Sequence, residues 1–124
     1  MQKNRPVNLN LMTIRFPVTA ISSILHRISG VLLFFFIFFL IWALHKSLQS
    51  SDAFDHLKTS LGQPWAKLLC WVFLSSLFFH FIAGIRHLIM DLGFGEGKKM
   101  GRINAYLVIL VAVLFMISLG ISLC

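Results

Sequence analysis

Phe79-His80-Phe81-Ile82-Ala83-Gly84-Ile85-Arg86-His87-Leu88-Ile89-Met90-Asp91 sets an imidazole inside an apolar run and closes that run with a group of ionisable side chains. An apolar run that continues over about 20 residues reads as a helix crossing a membrane. An ionisable residue within such a helix is costly and usually functional. On a helix His80, Gly84 and His87 fall at i, i+4 and i+7 and share one face. The glycine one turn from the imidazole leaves room there for something flat and bulky. The stretch therefore points to His80 as a ligand to a buried haem iron. The competing reading is a packing histidine, hydrogen-bonded across to a neighbouring helix.

Composition supports a membrane location. Hydrophobic residues make up 58% of the 124-residue chain and charged residues 12%, against about 25% charged in an ordinary soluble domain. The length suits one domain covering residues 1–124. The thirteen phenylalanines fit lipid-facing and packing positions. The net charge of +7 does not indicate nucleic-acid binding, because the basic residues sit at the ends of apolar runs instead of gathering on one wet face. Cys70 and Cys124 form no CxxC pair and read as small apolar residues. The first twenty residues, with Arg5, Pro6, Arg15 and Pro17, lack the short apolar core of a secretory signal.

In chain order, residues 1–20 read as an irregular arm, broken by Pro6 and Pro17, with a short interfacial helix after Pro17. Ile28–Leu44 carries no charge. It is about 26 Å long at ~1.5 Å per residue, so the helix is expected to start earlier, near Thr19 or Ser22, and to draw His26 and Arg27 into the interface. Ser29-Gly30 can let a neighbouring helix approach closely. Residues 45–64 read as a polar loop, flanked by Trp42, Trp65 and Trp71 as an aromatic belt at one membrane face. Leu68–Ile85 is the second run, Arg86–Arg102 a second polar loop and Ile103–Cys124 the third run. The expected architecture is an all-α integral membrane protein with three transmembrane spans, near residues 22–45, 66–90 and 103–123.

The arm through Arg27 carries Lys3, Arg5, Arg15 and Arg27, and the second loop carries Arg86, Lys98, Lys99 and Arg102. The first loop has only Lys46, Lys58 and Lys67, set against Asp52 and Asp55. The positive-inside rule then places the N-terminus in the cytoplasm and the C-terminus outside.

That orientation brings two clusters to the inner boundary. Ser23, His26 and Arg27 share one helical face at i, i+3 and i+4 and supply a hydroxyl, an imidazole and a guanidinium. Such a face can bind a quinone, whose carbonyls need donors, or haem propionates, which match the arginine fork. Arg27 as a snorkelling anchor and Ser23 bonded back to its own helix are the alternatives. In the second cluster, His87 lies about 10 Å along the axis from His80 and cannot reach the other face of the same iron. His45 and His56 belong to the opposite side. The second axial ligand therefore comes either from His26, swung deep, or from another polypeptide, which is the preferred reading. Arg86 and His87 read as boundary groups near propionates or as ordinary interface anchors, and Asp91 can pair with Arg86 or cap local backbone.

Arg5-Pro6 followed by Ser23-x-x-His26-Arg27-x-Ser29-Gly30, and then His80-x-x-x-Gly84-Ile85-Arg86-His87-x-x-Met90-Asp91-x-Gly93, resembles the two signatures of the cytochrome b membrane-anchor subunits of succinate dehydrogenase. The resemblance covers roughly residues 5–95, and the third span agrees only in hydropathy. It implies a subunit of respiratory complex II in a bacterial inner membrane. This subunit packs with a second, smaller membrane anchor into a helical bundle that holds one haem b between the two chains. Beside the bundle an iron–sulfur subunit delivers electrons to ubiquinone, and a flavoprotein subunit oxidises succinate. Carried over residue by residue, the axial haem ligand falls on His80, the propionate side on His26, Arg27 and His87, and the quinone contacts on Ser23 and Arg27. The partner anchor supplies the second iron ligand. On this reading the chain does not oxidise succinate itself but contributes the quinone-reduction site.

Three other readings compete. An anchor for fumarate reduction with a different quinone would share these features. A small cationic-drug transporter needs a membrane-buried carboxylate, and all four acids lie outside the apolar runs. A haem-free scaffold would leave His80 without a cofactor.

Overall fold

A computed structural model describes residues 9–10 and 12–124 as four helices: α1 (Val18–Ser47), α2 (Ser51–Leu61), α3 (Pro64–Asp91) and α4 (Lys98–Leu123). Among the described residues there is no β-strand. Arg5 and Pro6, half of the first motif, lie outside the described residues. Helices α1, α3 and α4 are each long and apolar enough to cross a membrane. At ~1.5 Å per residue even the shortest is about 39 Å long, more than the ~30 Å hydrocarbon core. The protein is an integral membrane protein with three spans.

Proline sets where two of these helices begin. Pro17 is extended at the N-cap of α1, and Val18 starts the span itself, so the separate interfacial helix expected after Pro17 is absent. Pro64 occupies the first turn of α3, where its missing N–H would have had no helical partner in any case. The expected loop at 45–64 holds a helix instead. In α2 the Ser50 hydroxyl accepts from the Ala53 N–H at 3.1 Å, with Asp52 in the first turn and Lys58 in the last, each favourable to the helix dipole. Ala53, Leu57 and Leu61 recur at i, i+4 and i+8 and are half-buried where α2 packs on α1 and α3.

The second loop is also shorter than expected. Nothing between Arg86 and Asp91 breaks a helix, so α3 runs on to Asp91. It ends when the Gly93 N–H bonds to Met90 O and the Phe94 N–H to Ile89 O, a Schellman closure. Gly93 takes a positive φ of 90° there, which a side chain would resist.

Helix α3 lies between α1 and α4, antiparallel to both, and packs against each along its length. The seam is built of small residues. Ser22 and Ser29 of α1, Ala66, Ser75, Ala83 and Arg86 with Phe79 of α3, and Gly101, Ala105 and Ala112 of α4 are buried. Leu, Ile and Phe residues line the outside of all three spans. This arrangement inverts that of a soluble bundle, because lipid solvates large apolar side chains while close packing needs small ones. Trp71 leaves the expected belt. Its indole N–H donates to Met116 O of α4 at 2.8 Å, and its ring lies against Gly120. Trp42 and Trp65 stay exposed.

Candidate functional site

The site lies at the end of the bundle where α1 begins, α3 ends and α4 begins. His80 is roughly 16 Å from the C-terminal end of α3. Its Nδ1 is 3.1 Å from the carbonyl oxygen of His26 and 3.1 Å from the Ser29 hydroxyl. The Ser29 hydroxyl donates to the same His26 carbonyl at 2.8 Å. A carbonyl only accepts, and a hydroxyl that has given its hydrogen to one offers only lone pairs. Both neighbours of Nδ1 are therefore acceptors, and Nδ1 carries the hydrogen. The lone pair of His80 is left on Nε2, which no described residue hydrogen-bonds.

His26 joins the same cluster. Its ring stacks on that of His80 with centroids 4.2 Å apart and planes 9° from parallel. The His87 ring lies 5.2 Å from His26, tilted by 51°. Two glycines make this approach possible. A Cβ on Gly30 would meet His80 at 3.0 Å, and a Cβ on Gly84 would meet the His26 Nε2 at 3.4 Å. Each helix thus presents a glycine to the imidazole of the other. The space beside Gly84 that the spacing reserves for a flat, bulky group takes the His26 ring.

This arrangement fits a haem ligand. A metal-bound histidine usually donates its other ring N–H to a carbonyl or similar acceptor, which fixes tautomer and orientation, and His80 has that partner. Ligation uses the lone pair in the plane of the ring, so a second ring stacked on the face does not obstruct it. The stack does bear on His26. Two axial ligands approach iron from opposite sides, whereas His26 and His80 lie side by side, so His26 is not placed to hold the other face of the same iron. Among the described residues no three His, Cys, Asp or Glu side chains gather into a metal site of their own.

Ser23 is half-buried and Arg27 exposed on the first turns of α1. Ser29, Ser47, Thr59, Ser60 and Ser122 each bond back to a carbonyl of their own helix. Ser23 makes no such bond among the described residues, so its hydroxyl is free to meet a ligand. Arg27 likewise has no hydrogen-bond or ion-pair partner among the described residues. Arg86 departs from its expected place. It is only 6% exposed and donates through Nη2 to Gly101 O at 3.0 Å, which ties α3 to the start of α4. It makes no ion pair with Asp91 among the described residues.

The residue that the sequence pattern assigned only to close helix packing, and not to the site, is Ser29. It lies one turn beyond His26 on the same face, and that spacing is the signal that could have singled it out. An apolar groove between α1 and α3, lined by Phe36, Phe39, Trp65 and Phe73, lies at the opposite end of the bundle from these polar groups.

Residues 1–119 match the family described as succinate dehydrogenase/fumarate reductase transmembrane subunit. The chain is similar to the succinate dehydrogenase cytochrome b556 subunit of Coxiella burnetii, 45% identical over 122 residues that cover 98% of each chain. It is 31% identical to the subunit of the same name from Rickettsia conorii, over 94% of this chain and 91% of that one. It is 33% identical to that of Paracoccus denitrificans over 92 residues, 74% of this chain and 71% of that one.

Proposed function

We propose, from the premise that this chain belongs to the succinate dehydrogenase/fumarate reductase transmembrane subunit family, that it anchors a succinate dehydrogenase in a bacterial inner membrane, binds haem b through His80 and helps to form the ubiquinone site. The observation that carries the haem reading is the hydrogen-bonded Nδ1 of His80, which leaves Nε2 as the donor atom. The relatives' names, all of them succinate dehydrogenase cytochrome b subunits, favour succinate oxidation over the reverse reaction.

His80 would hold the haem iron from α3 through Nε2. His26 is committed to the stack on His80, so a second ligand to the iron would fall to another chain, a smaller membrane anchor. His26, Arg27 and His87 form the cationic or donor side towards the propionates, where a guanidinium matches a carboxylate best. Bound there, haem b would supply one-electron redox chemistry.

Ser23 and Arg27 serve the quinone. The serine hydroxyl donates to one carbonyl oxygen and orients the ring. The guanidinium faces the oxygen where negative charge develops on reduction and stabilises it electrostatically. An iron–sulfur subunit docked on the N-terminal, cytoplasmic face delivers the electrons, and a flavoprotein subunit beyond it oxidises succinate.

The test is optical. The assembled complex is expected to show a reduced-minus-oxidised b-type spectrum, and His80→Ala is expected to abolish or strongly perturb it. An unchanged spectrum in the variant would remove His80 as the ligand, and the absence of any b-type spectrum in the wild-type complex would favour the haem-free scaffold reading.

A further inference from the structure

We infer that Ser29 is a positioning residue for the haem iron: its hydroxyl, together with the His26 carbonyl, fixes the hydrogen on Nδ1 of His80 and so sets both the aim and the donor strength of Nε2. This inference rests on the haem reading of His80 and adds a residue read above only as a close-packing position.

Four observations converge on Ser29. It is 5% exposed, on the buried seam of α1. Its hydroxyl bridges two groups: it donates to the His26 carbonyl at 2.8 Å and lies 3.1 Å from His80 Nδ1. The carbonyl is itself within 3.1 Å of Nδ1, so the imidazole N–H is shared between two oxygens that are already coupled to each other. The next residue, Gly30, holds the ring from below, within 3.0 Å of where a Cβ would stand.

A serine bonded back to its own helix is common and by itself says little. Ser47, Thr59, Ser60 and Ser122 do the same and hydrogen-bond no other side chain among the described residues. Ser29 differs because its oxygen faces an imidazole of another helix. Its lone pairs are polarised by the hydrogen bond it donates, and linked hydrogen bonds strengthen one another.

The chemical consequence follows. Hydrogen bonding at Nδ1–H pushes electron density toward Nε2 and makes the imidazole a stronger base. A stronger donor stabilises the oxidised, more positive iron and lowers its reduction potential; the hydrogen bond at the far nitrogen of the imidazole is the lever in use here. Loss of the Ser29 hydroxyl leaves the carbonyl as the sole acceptor and weakens the donor. The His26 stack and the contact with Gly30 remain, so the ring keeps its place and only its electronics change.

The experiment is a potentiometric titration of the b-type spectrum in the whole membrane complex, with Ser29→Ala and Ser29→Thr beside the wild type. Ser29→Ala is expected to retain haem at wild-type stoichiometry with its midpoint potential raised. Ser29→Thr, which keeps the hydroxyl, is expected to titrate with the wild type. An unshifted potential in Ser29→Ala overturns the inference, and so does an equal shift in both variants, which would mark an effect of volume. Should Ser29→Ala yield no haem-bearing complex, Ser29→Thr decides alone: a wild-type potential supports the inference, and a displaced potential or absent haem overturns it. Failure of the underlying reading is distinguishable, since the wild-type complex would then show no b-type spectrum or His80→Ala would leave it intact.

Discussion

At the scale of single residues, the polar groups near the start of α1 divide by what they touch. Ser22 and Ser29 are buried, whereas Ser23 and Arg27 open outward with no partner among the described residues. A ligand that arrives from outside the bundle can engage only the second pair. Arg27→Ala or Ser23→Ala is therefore expected to lower quinone reduction by the complex on the order of 10²-fold, the scale of losing one preorganised donor to developing charge. Succinate oxidation by an artificial dye should persist in both. Intact quinone reduction in either variant, measured by the steady-state rate, would release that residue from the site. A second residue-scale prediction concerns Gly30. A Cβ there meets an imidazole that the Ser29 hydroxyl and the stack on His26 already hold. Gly30→Ala should displace the His80 ring and reduce the haem content of the purified complex, read as haem per polypeptide. Gly84→Ala, with its looser 3.4 Å approach to His26, should do less.

At the scale of elements, stability depends on close approach of backbones. In lipid an exposed leucine gains nothing by packing on another helix, so small residues and interhelical hydrogen bonds hold the spans together. Ala83 is fully buried, next to Phe79 and Ala112. Ala83→Leu forces extra methyl groups into that seam at a cost of about 1–3 kcal/mol, and the detergent-solubilised protein should melt at a lower temperature. Val113→Leu, at an exposed position on the outside of α4, should not matter comparably. Arg86 belongs to this scale too. Its bond to Gly101 O links the last turns of α3 to the first turn of α4. That it serves as a clasp between helices, instead of as a boundary anchor, was not legible in the sequence, because the register of α4 on α3 decides which carbonyl it meets. Helix α2 escaped for another reason: its polar face and the flanking Gly62 and Pro64 look like punctuation, and its apolar stripe is one residue wide.

At the scale of the whole molecule, α1, α3 and α4 alternate in direction, which puts the start of α1 and the end of α4 on opposite faces of the bundle. By the positive-inside rule, the basic residues at the start of α1 and in the α3–α4 connection lead us to propose that the histidine cluster faces the cytoplasm. Cys124 is exposed at the far end and Cys70 is half-buried within α3. In a Cys70→Ser background, a membrane-impermeant thiol reagent is expected to label intact spheroplasts at Cys124. Labelling only after permeabilisation would invert the orientation and move the quinone site to the outer face.

By themselves, the residues determined that this chain crosses a membrane three times and that an imidazole sits inside its second apolar run, because hydrophobic length and the cost of a polar group in lipid are local properties of a sequence. Their motifs also carried the family. Only the tertiary structure decided that His26 and His80 stack, that Gly84 makes room for His26, and that Ser29 and a backbone carbonyl share the Nδ1 hydrogen. Those contacts depend on how α1 crosses α3, and a rotation of either helix about its axis would break all of them while leaving every hydropathy pattern unchanged.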